Sequence, residues 1–575
     1  MNIGRARRAS VKTSLASQIS FVALACWTLM LSPSNAAEYY TNWAAIHFSS
    51  NPALGDPLAD PDGDGEPNVV EFAFGTDPLA PDGIAGAVQP LNGGVSGTNA
   101  VFQVEILERE GHQPGAQIDL YLSADLVNWF RPWWLRTTTS SLPTDPLGSV
   151  RELFTTRLTG TNVWFVRPKV KLFEWGAEAA TYYVATNGND SNSGTSTNAP
   201  FATLGKAAGL ATNGNLVYVR GGRYSVFSKI SLSKFGSAGS PIRIRAYPGE
   251  TPVLDCSGEG TGTDAISISG TYYWLYGLVL TNAGHNSIVI SGSNNIVELC
   301  VSLGARNTGF HITGGNGGTA TPSSNLFLNC DSIRNYDSPV GGNADGFTAK
   351  WSLGPGNMFS GCRAWENSDD NWDLWMGTQP VLITNCWAFR AATNVFWDAA
   401  TNKVFNGNGN GFKLGGNGTG TPHRLVNCLS FGNSAWGVDQ NNNADGQTVD
   451  QNTVWNNGSG AINLNHLGSQ YGTLQSSHVV RNNVAIGSVT IGSTATYPSI
   501  QMSNTWQVLS NVNTNDFLST DFTWAMAPRR DDGGLPENPF LRPVPAGRLV
   551  DKGVNLGGPF NGSAPDLGAF ETFAW

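Results

Sequence analysis

Apolar and polar residues alternate in short stretches along the chain from Thr181 onward, and equivalent positions recur every 22 to 40 residues. Each member of one recurring column directly follows an apolar residue such as Phe310, Phe347 or Trp372. Because successive side chains of a strand point to opposite faces, the apolar positions are predicted to face a core and the column itself to face outward. The outward column consists of Val289, His311, Thr348, Asp373, Lys413, Asp439 and Asn463.

A second column holds cysteine or asparagine at a corresponding place of each repeat, in contexts such as LCVS, NCDS and NCLS. The asparagine that precedes several of these cysteines tolerates the left-handed backbone conformation of a sharp corner. An even number of cysteines outside the N-terminal segment would also suit disulfide bonds. Their equivalent places in the repeat favour a stack of buried free thiols instead. The column consists of Cys300, Cys330, Cys362, Cys386, Cys428, Asn452 and Asn483.

Short strands, corner Asn and Gly residues and a minimum repeat of about two dozen residues predict an all-β solenoid, a parallel β-helix. Neither a leucine-rich-repeat signature nor a propeller signature appears in the chain. Thr181–Val217 is predicted to form an entry strand and a short helix that caps the open end. The composition agrees, since Gly is abundant (69 residues) and only 13% of residues are charged.

A chain of 575 residues is too long for one compact core, so several domains are expected. Residues 1–36 start with basic residues, continue with the apolar run Ile19–Leu31 and end in small residues, which predicts a signal peptide. A membrane anchor is the alternative, but the run is shorter than the roughly 20 residues that span a bilayer. We therefore expect bacterial-type export to the medium or the cell surface.

Two further segments are predicted to precede a solenoid domain that spans residues 176–575. Residues 37–85 contain the D-x-D-x-D-G-x5-E pattern of EF-hand-like or dockerin-like calcium loops, and residues 86–175 alternate as in a small β-sandwich of unknown role. An acidic turn without metal is the alternative for the loop, and Pro67 departs from the usual pattern. The predicted ligands of a structural calcium ion are Asp60, Asp62, Asp64, Glu66, Asn68 and Glu71.

The formal net charge is −10, which argues against nucleic acid as a partner because counterion release requires a basic surface. After removal of the signal we expect no membrane association. A capped solenoid is predicted to be a monomer.

Three segments share a motif within the solenoid, namely Asn343–Lys350 (NADGFTAK), Asn367–Trp375 (NSDDNWDLW) and Gly407–Gly416 (GNGNGFKLGG). If they occupy neighbouring coils, about 4.8 Å apart, their acidic residues and one lysine converge. Four carboxylates so close cannot all remain ionised without a cation, and hard oxygen ligands suit Ca²⁺. A solvated acidic face is the alternative. The predicted ligands are Asp345, Asp369, Asp370 and Asp373.

Lys413 is predicted to stand beside this cluster, on the coil after Asp373. A lysine in the positive field of bound Ca²⁺ has a lowered pKa and becomes a usable base. The metal would also hold a substrate carboxylate, so the arrangement suits abstraction of a proton α to a carboxylate and loss of a β-alkoxide. This is the eliminative cleavage of a uronic acid polymer. Weaker predictions for substrate contacts are Lys350, Arg363, His311 and Asp439.

The three motifs, together with YYVATNGNDSNSGT, VYVRGGRY and APDLGAFE, resemble those of family-nine polysaccharide lyases. The resemblance covers about Thr181 to Glu571. It implies a right-handed parallel β-helix and a secreted calcium-dependent pectate lyase that acts on acidic plant cell-wall polysaccharide and leaves 4,5-unsaturated uronate ends. It also implies calcium ligands and a base at the positions that the coil alignment selects: Asp345, Asp369, Asp370, Asp373 and Lys413.

Two alternatives stay open. The first is a lyase of the same mechanism that acts on rhamnogalacturonan I rather than on homogalacturonan. The second, from another class, is a non-catalytic β-helix protein that binds carbohydrate. The intact lysine beside an intact aspartate set speaks against the second alternative.

Overall fold

The computed structural model describes most of the chain from residue 40 onward. The described residues are 40–56, 58–64, 66–74, 76–81, 88–91, 95–96, 99–109, 116–123, 135–139, 149–159, 165–172, 180–393, 404–530, 533–545, 547–558, 560 and 562–572. The predicted signal peptide lies outside them. Within them, no helix is both long enough and apolar enough to span a bilayer. The α-helices are Tyr40–His47 (α1), Asn68–Phe74 (α2), Leu204–Leu210 (α3) and Thr505–Val508 (α4), and the 3-10 helices are Pro52–Leu54, Ser469–Tyr471, Thr514–Asp516 and Phe522–Met526.

A solenoid occupies the larger part of the chain, and each full coil contributes one strand to each of three parallel sheets. Sheet 1 contains Tyr182–Val184, Leu216–Val219, Ile242–Ala246, Tyr273–Tyr276, Ile296–Glu298, Leu326–Leu328, Met358–Ser360, Leu382–Thr384, Arg424–Val426, Thr448–Asp450, Val479–Arg481 and Ile500–Met502. Sheet 2 contains Gly222–Ser225, Pro252–Asp255, Val279–Thr281, Val301–Leu303, Asp331–Ile333, Arg363–Trp365, Trp387–Phe389, Leu429–Phe431, Thr453–Trp455 and Val484–Ile486. Sheet 3 contains Ile230–Leu232, Ile266–Ile268, Ile288–Ile290, Phe310–Thr313, Phe347–Lys350, Trp372–Asp373, Phe412–Lys413, Trp436–Asp439, Gly460–Leu464 and Val489–Ile491. The predicted parallel β-helix is confirmed.

The register of sheet 3 agrees with the outward column read from the sequence. Consecutive members of that column, from Val289 to Asn463, are Cα partners in neighbouring strands. The apolar residue before each member is fully buried, and Phe347 stacks on Trp372 with ring centroids 4.7 Å apart. Thr348 and the charged side chains of the column therefore lie on the outer face of the solenoid.

The cysteine column forms a ladder at a corner of the coils. The six cysteines of the described residues are free and buried, which confirms the free-thiol interpretation. The amide of Cys330 lies 3.4 Å from the Cys362 sulfur, and the Cys428 amide donates to the Asn452 side chain at 2.8 Å. The preceding corner residues, Asn329 and Asn385 among them, have φ near +50°, as the corner prediction requires.

Both the open end and one flank of the solenoid are covered. The predicted entry strand and cap helix are present, and Thr203 caps the N-terminus of α3, since its side chain accepts from the Lys206 amide at 3.2 Å. On the outer face of sheet 2, rings from successive coils stack, with centroids 5.3 Å apart for Trp365 and Phe389. Apolar residues of the C-terminal segment, including Phe540 and Leu549, pack against that stack.

The N-terminal part contains antiparallel strands. One sheet contains Val88–Leu91, Val95–Ser96, Asn99–Arg109, Leu135–Thr139 and Ser149–Thr159, and Ala116–Ser123 pairs with Phe165–Leu172. Trp43 of α1 and Phe72 of α2 share a buried cluster with Val104, Leu120 and Phe154 of these strands. The calcium-loop segment and the strand segment thus share one core.

Candidate metal and catalytic site

Three aspartates from two neighbouring coils meet on the outer face of sheet 3. One carboxylate oxygen each from Asp345, Asp370 and Asp373 lies within 4.8 Å of the others. The Asp370 amide donates to Asp345 Oδ1 at 3.1 Å, which ties the two coils together at the cluster. All three side chains are buried although they face away from the solenoid core.

The glycines of the motifs permit this close approach of the coils. A Cβ on Gly346 would lie 2.6 Å from the Asn371 carbonyl oxygen, and a Cβ on Gly407 would lie 2.4 Å from the Asp369 Cα. Neither distance is compatible with a side chain. Asp369 itself is buried beside the cluster, and its Oδ1 accepts from the Asn408 amide.

Two lysines bring positive charge into the cluster. Lys413 Nζ lies 3.1 Å from Asp370 Oδ2, 3.2 Å from Asp373 Oδ2 and 2.8 Å from Asn408 Oδ1. Lys350 Nζ lies 2.8 Å from Asp345 Oδ2 and 2.7 Å from Asp373 Oδ2. With all six side chains ionised, the four carboxylates outnumber the two ammonium groups by two negative charges.

The electrostatic cost of this arrangement appears in the pKa values of the carboxylates. Burial, followed by repulsion from Asp370 and Asp345, raises the pKa of Asp369 to about 9. Burial also raises the pKa of Asp345 to about 7, despite the nearby Lys350. Burial acts in the same direction on Asp373, but Lys350 and Lys413 outweigh it and lower its pKa.

Burial alone would lower the pKa of Lys413, but the surrounding carboxylates, Asp370 and Asp373 foremost, outweigh it and raise that pKa well above its ordinary value. The ammonium form is therefore stable as long as these carboxylates keep their full negative charge. A divalent cation at the cluster would share that charge and lower the pKa of Lys413.

The residues present suit a divalent cation with hard oxygen ligands. Asp370 Oδ2 is buried, and the Lys413 ammonium contacts it at 3.1 Å. The excess of two negative charges and the raised pKa values of Asp345 and Asp369 both indicate that additional positive charge would stabilise the cluster. An all-carboxylate donor set is that of Ca²⁺ rather than of a transition metal.

The structure places three of the four residues predicted to contact substrate on the outer face of sheet 3 and the fourth elsewhere. His311 and Asp439 lie in the outward column of sheet 3, and His311 Nδ1 makes a short hydrogen bond to Thr348. Arg363 lies instead in sheet 2, buried in an ion pair of 2.7 Å with Asp331, so the structure does not bring it to the cluster. Lys350 lies inside the cluster rather than beside it.

The calcium-loop motif forms a second acidic cluster, because carboxylate oxygens of Asp60, Asp62 and Asp64 lie within 4.8 Å of one another. Asn68 and Glu71 are fully buried at the start of α2. The Asn68 side chain donates to two backbone carbonyls at 2.8 Å, while its Oδ1 has no hydrogen-bond partner among the described residues. Glu66, whose backbone carbonyl is the predicted ligand, is half-buried.

Three residues near the solenoid cluster were not assigned a role from the sequence. Asn408 holds the Lys413 ammonium, and Asn410 donates to Asp370 Oδ1 from its backbone at 2.7 Å and its side chain at 3.0 Å. Both lie in the GNGNGF motif, so the sequence predicts that they lie near the cluster but not which atoms they contact. His466, which binds Asp439, lies beyond the end of a strand and carries no motif signal.

The three-sheet winding defines a parallel β-helix protein with an acidic, lysine-bearing site on its outer face. The family described as "Pel9A-like, right handed beta helix region" matches residues 182–483. The chain therefore belongs to the Pel9A-like right-handed β-helix family of polysaccharide lyases, the family that its motifs resemble.

Individual relatives agree with this membership. Pectate lyase L of Dickeya dadantii is 40% identical over 404 residues, which cover 68% of this chain and 90% of that protein. The crystal structure of pectate lyase Pel9A is similar with a TM-score of 0.60 at 38% identity, and it covers 68% of this chain and 96% of its own. A rhamnogalacturonan lyase structure has a TM-score of 0.53 at 26% identity and covers 63% of this chain and 96% of its own.

Proposed function

We propose that this protein is a secreted, calcium-dependent pectate lyase that cleaves polygalacturonate by β-elimination. The observation that carries the proposal is the contact of the Lys413 ammonium with Asp370 and Asp373, at 3.1 and 3.2 Å, within a buried carboxylate cluster. The names of the relatives support the substrate class, since two similar proteins are pectate lyases.

In this proposal Asp345, Asp369, Asp370 and Asp373 hold Ca²⁺. When bound, the ion supplies positive charge that holds a uronate carboxylate and acidifies the proton on the adjacent carbon. The four carboxylates then serve as ligands and no longer raise the pKa of Lys413 to the same extent.

Lys413 is the proposed base. Its neutral Nζ accepts the C5 proton of the uronate, and the electron pair of that C–H bond forms the C4–C5 double bond while the C4–O4 bond breaks. Asn408 Oδ1, 2.8 Å from Nζ, holds the amine at the cluster. The leaving oxygen takes up a proton, for which no side chain is assigned as the donor, and the product carries a 4,5-unsaturated uronate end.

The deciding experiment measures the ultraviolet absorbance of unsaturated product from polygalacturonate, with calcium and with a chelator. We expect product only with calcium, and Lys413→Ala is expected to abolish it while the fold persists. Product formed equally well with a chelator would exclude the metal, and product formed by Lys413→Ala at a rate within tenfold of wild type would exclude the base. Rhamnogalacturonan I in a parallel assay tests the other substrate, because a rhamnogalacturonan lyase is also structurally similar.

We also propose a structural calcium ion on Asp60, Asp62, Asp64, Glu66, Asn68 and Glu71. The grouped carboxylates and the buried Asn68 Oδ1 without a hydrogen-bond partner among the described residues support it. Because α2 contributes Phe72 to the N-terminal core, an ion at this loop would stabilise residues 37–175 rather than the solenoid. The proposed division is a cleaved signal peptide at 1–36, this N-terminal unit, and a lyase solenoid from about residue 176 to residue 575, acting as a monomer.

A further inference from the structure

A histidine–aspartate pair lies one coil beyond the proposed base. Asp439 is the Cα partner of Lys413 in sheet 3, and the Leu414 amide donates to the Asp439 carbonyl at 2.8 Å. Both side chains belong to the outward column, so about 4.8 Å separates their strands on the same face. The pair is therefore next to the cluster, on the side away from Asp345.

Asp439 is buried, whereas the histidine that binds it faces solvent. His466 Nδ1 lies 3.1 and 3.0 Å from the two carboxylate oxygens of Asp439, and the His466 side chain is 44% exposed. Asn463 Nδ2 donates to Asp439 Oδ1 at 3.2 Å and fixes the carboxylate further. Because an acceptor carboxylate assigns the proton to Nδ1, Nε2 is the ring nitrogen left for a ligand.

We propose that His466, held in place by Asp439, binds the carboxylate of the uronate next to the cleaved bond. The inference rests on the proposed function, because it takes the substrate to be a polyuronate that runs along the outward column. When protonated, the ring donates from Nε2 to an anionic sugar while Nδ1 stays on Asp439. Asp439 is a positioning residue in this assignment and does not touch the substrate.

Charge near the pair favours the protonated ring. The hydrogen bond to Asp439 raises the pKa of His466 above its ordinary value, against an opposing effect of burial. Lys413 lies on the far side of Asp439, and the following coil contributes the uncharged Thr490, which donates to Asn463 at 2.8 Å. Binding of the uronate carboxylate by protonated His466 is therefore expected to weaken as the pH rises through the pKa of His466.

The chain supplies a matched control in a second pair of the same kind. His285 Nδ1 lies 2.8 Å from Asp264 Oδ1, and the His285 side chain is 40% exposed, close to the value for His466. This pair precedes the strand Ile288–Ile290, four strands before Phe412–Lys413 in sheet 3. His285→Ala therefore removes an equivalent exposed imidazole at a distance from the reacting bond.

The test measures binding of tetragalacturonate to the full chain by calorimetry, in a Lys413→Ala background with calcium present, at pH 5.5 and 8.5. We expect His466→Ala to raise Kd about fivefold at pH 5.5 and less at pH 8.5, while His285→Ala leaves Kd unchanged. Asp439→Asn keeps the imidazole but removes its acceptor, and we expect an intermediate rise at pH 5.5. In the enzyme with Lys413, His466→Ala should raise KM and leave kcat within about twofold.

An unchanged Kd in His466→Ala would overturn the proposal, and so would an equal rise in His285→Ala. A fall in kcat at constant KM would also overturn it, because His466 would then act on the reacting bond. Melting temperatures of the variants separate these outcomes from misfolding. If the wild-type protein yields no unsaturated product, the proposed activity fails, but the Kd comparison still decides whether His466 binds a uronate.

Discussion

The two acidic clusters of this protein, one in the N-terminal loop and one on the solenoid, hold their carboxylates by different means. In the loop, Asp60 and Asp64 accept hydrogen bonds from backbone amides of the same turn, at 2.8 Å each. On the solenoid, Asp345 and Asp373 come from different coils. Lys350 binds both carboxylates, and Lys413 also binds Asp373.

Burial separates the two clusters further. The loop aspartates are half-buried or exposed, so water screens their repulsion, whereas the solenoid aspartates are buried and two of them have strongly raised pKa values. A cation at the loop would mainly stabilise a fold, while a cation at the solenoid would also change the protonation of Lys413. The following changes test that contrast, from the largest expected effect to the smallest.

Removal of the proposed base, Lys413, should have the largest effect. Lys413→Ala is expected to lower kcat by about a thousandfold, because a positioned general base contributes on that order. Formation of unsaturated product is the measurement. Lys229→Ala, an exposed lysine of the same solenoid, is the control and should leave the rate unchanged. A rate within tenfold of wild type for Lys413→Ala would contradict the assignment.

Loss of one proposed calcium ligand from each cluster should separate the roles of the two clusters. Asp370→Asn is expected to weaken calcium binding at the solenoid by at least about a hundredfold and to abolish activity at low calcium. Asp64→Asn at the loop should leave the rate unchanged. Calcium titration of the rate checks both variants, and a similar loss of rate in the two would show that the clusters are not distinct in function.

The pH dependence of stability should reveal the buried carboxyl groups whose pKa values are raised. Asp345 and Asp369 have folded-state pKa values of about 7 and about 9, above the ordinary value of about 3.9, so they stabilise the fold while protonated. That stabilisation is lost as the pH rises through these values. Without calcium, the melting temperature of the solenoid should fall from pH 5 to pH 9, and added calcium should raise it most at pH 9. A calcium effect independent of pH would contradict this assignment.

Activity should rise from neutral to alkaline pH with calcium saturating. The carboxylates raise the pKa of Lys413, so its neutral, basic form gains population only as the pH increases. A pH–rate profile of kcat is the measurement. A rate that falls over this range while the protein stays folded would exclude lysine as the base.

The smallest effect is expected at the loop. Asp62→Asn should lower the melting temperature of the N-terminal unit by a few degrees in calcium and leave that of the solenoid unchanged. Calorimetry of the full chain resolves the two transitions if the units unfold separately. A shift of the solenoid transition alone would contradict the assignment of the loop to the N-terminal core.

The outward column is predictable from the sequence because two periodicities act together. Alternation along a strand fixes which residues face outward, and the coil repeat fixes which of them are neighbours, so the two patterns suffice to align Asp373 with Lys413. The two patterns do not predict where the end of a long side chain lies. Lys350 lies two residues beyond Thr348, the Cα partner of Asp373, yet its flexible chain brings Nζ to 2.8 Å from Asp345 Oδ2. His466 lies past the end of its strand, where the alternation carries no information.

The unequal length of the coils has a consequence for how such a protein diversifies. Asp373 and Lys413 are separated by 40 positions of sequence and Lys413 and Asp439 by only 26, yet both pairs are immediate neighbours in sheet 3. The extra length falls between the strands Trp387–Phe389 and Phe412–Lys413, and both strands keep their places in the parallel sheets. Insertions at this point can therefore change the surroundings of the carboxylate cluster, while the pitch of the winding preserves the spacing of Asp373, Lys413 and Asp439.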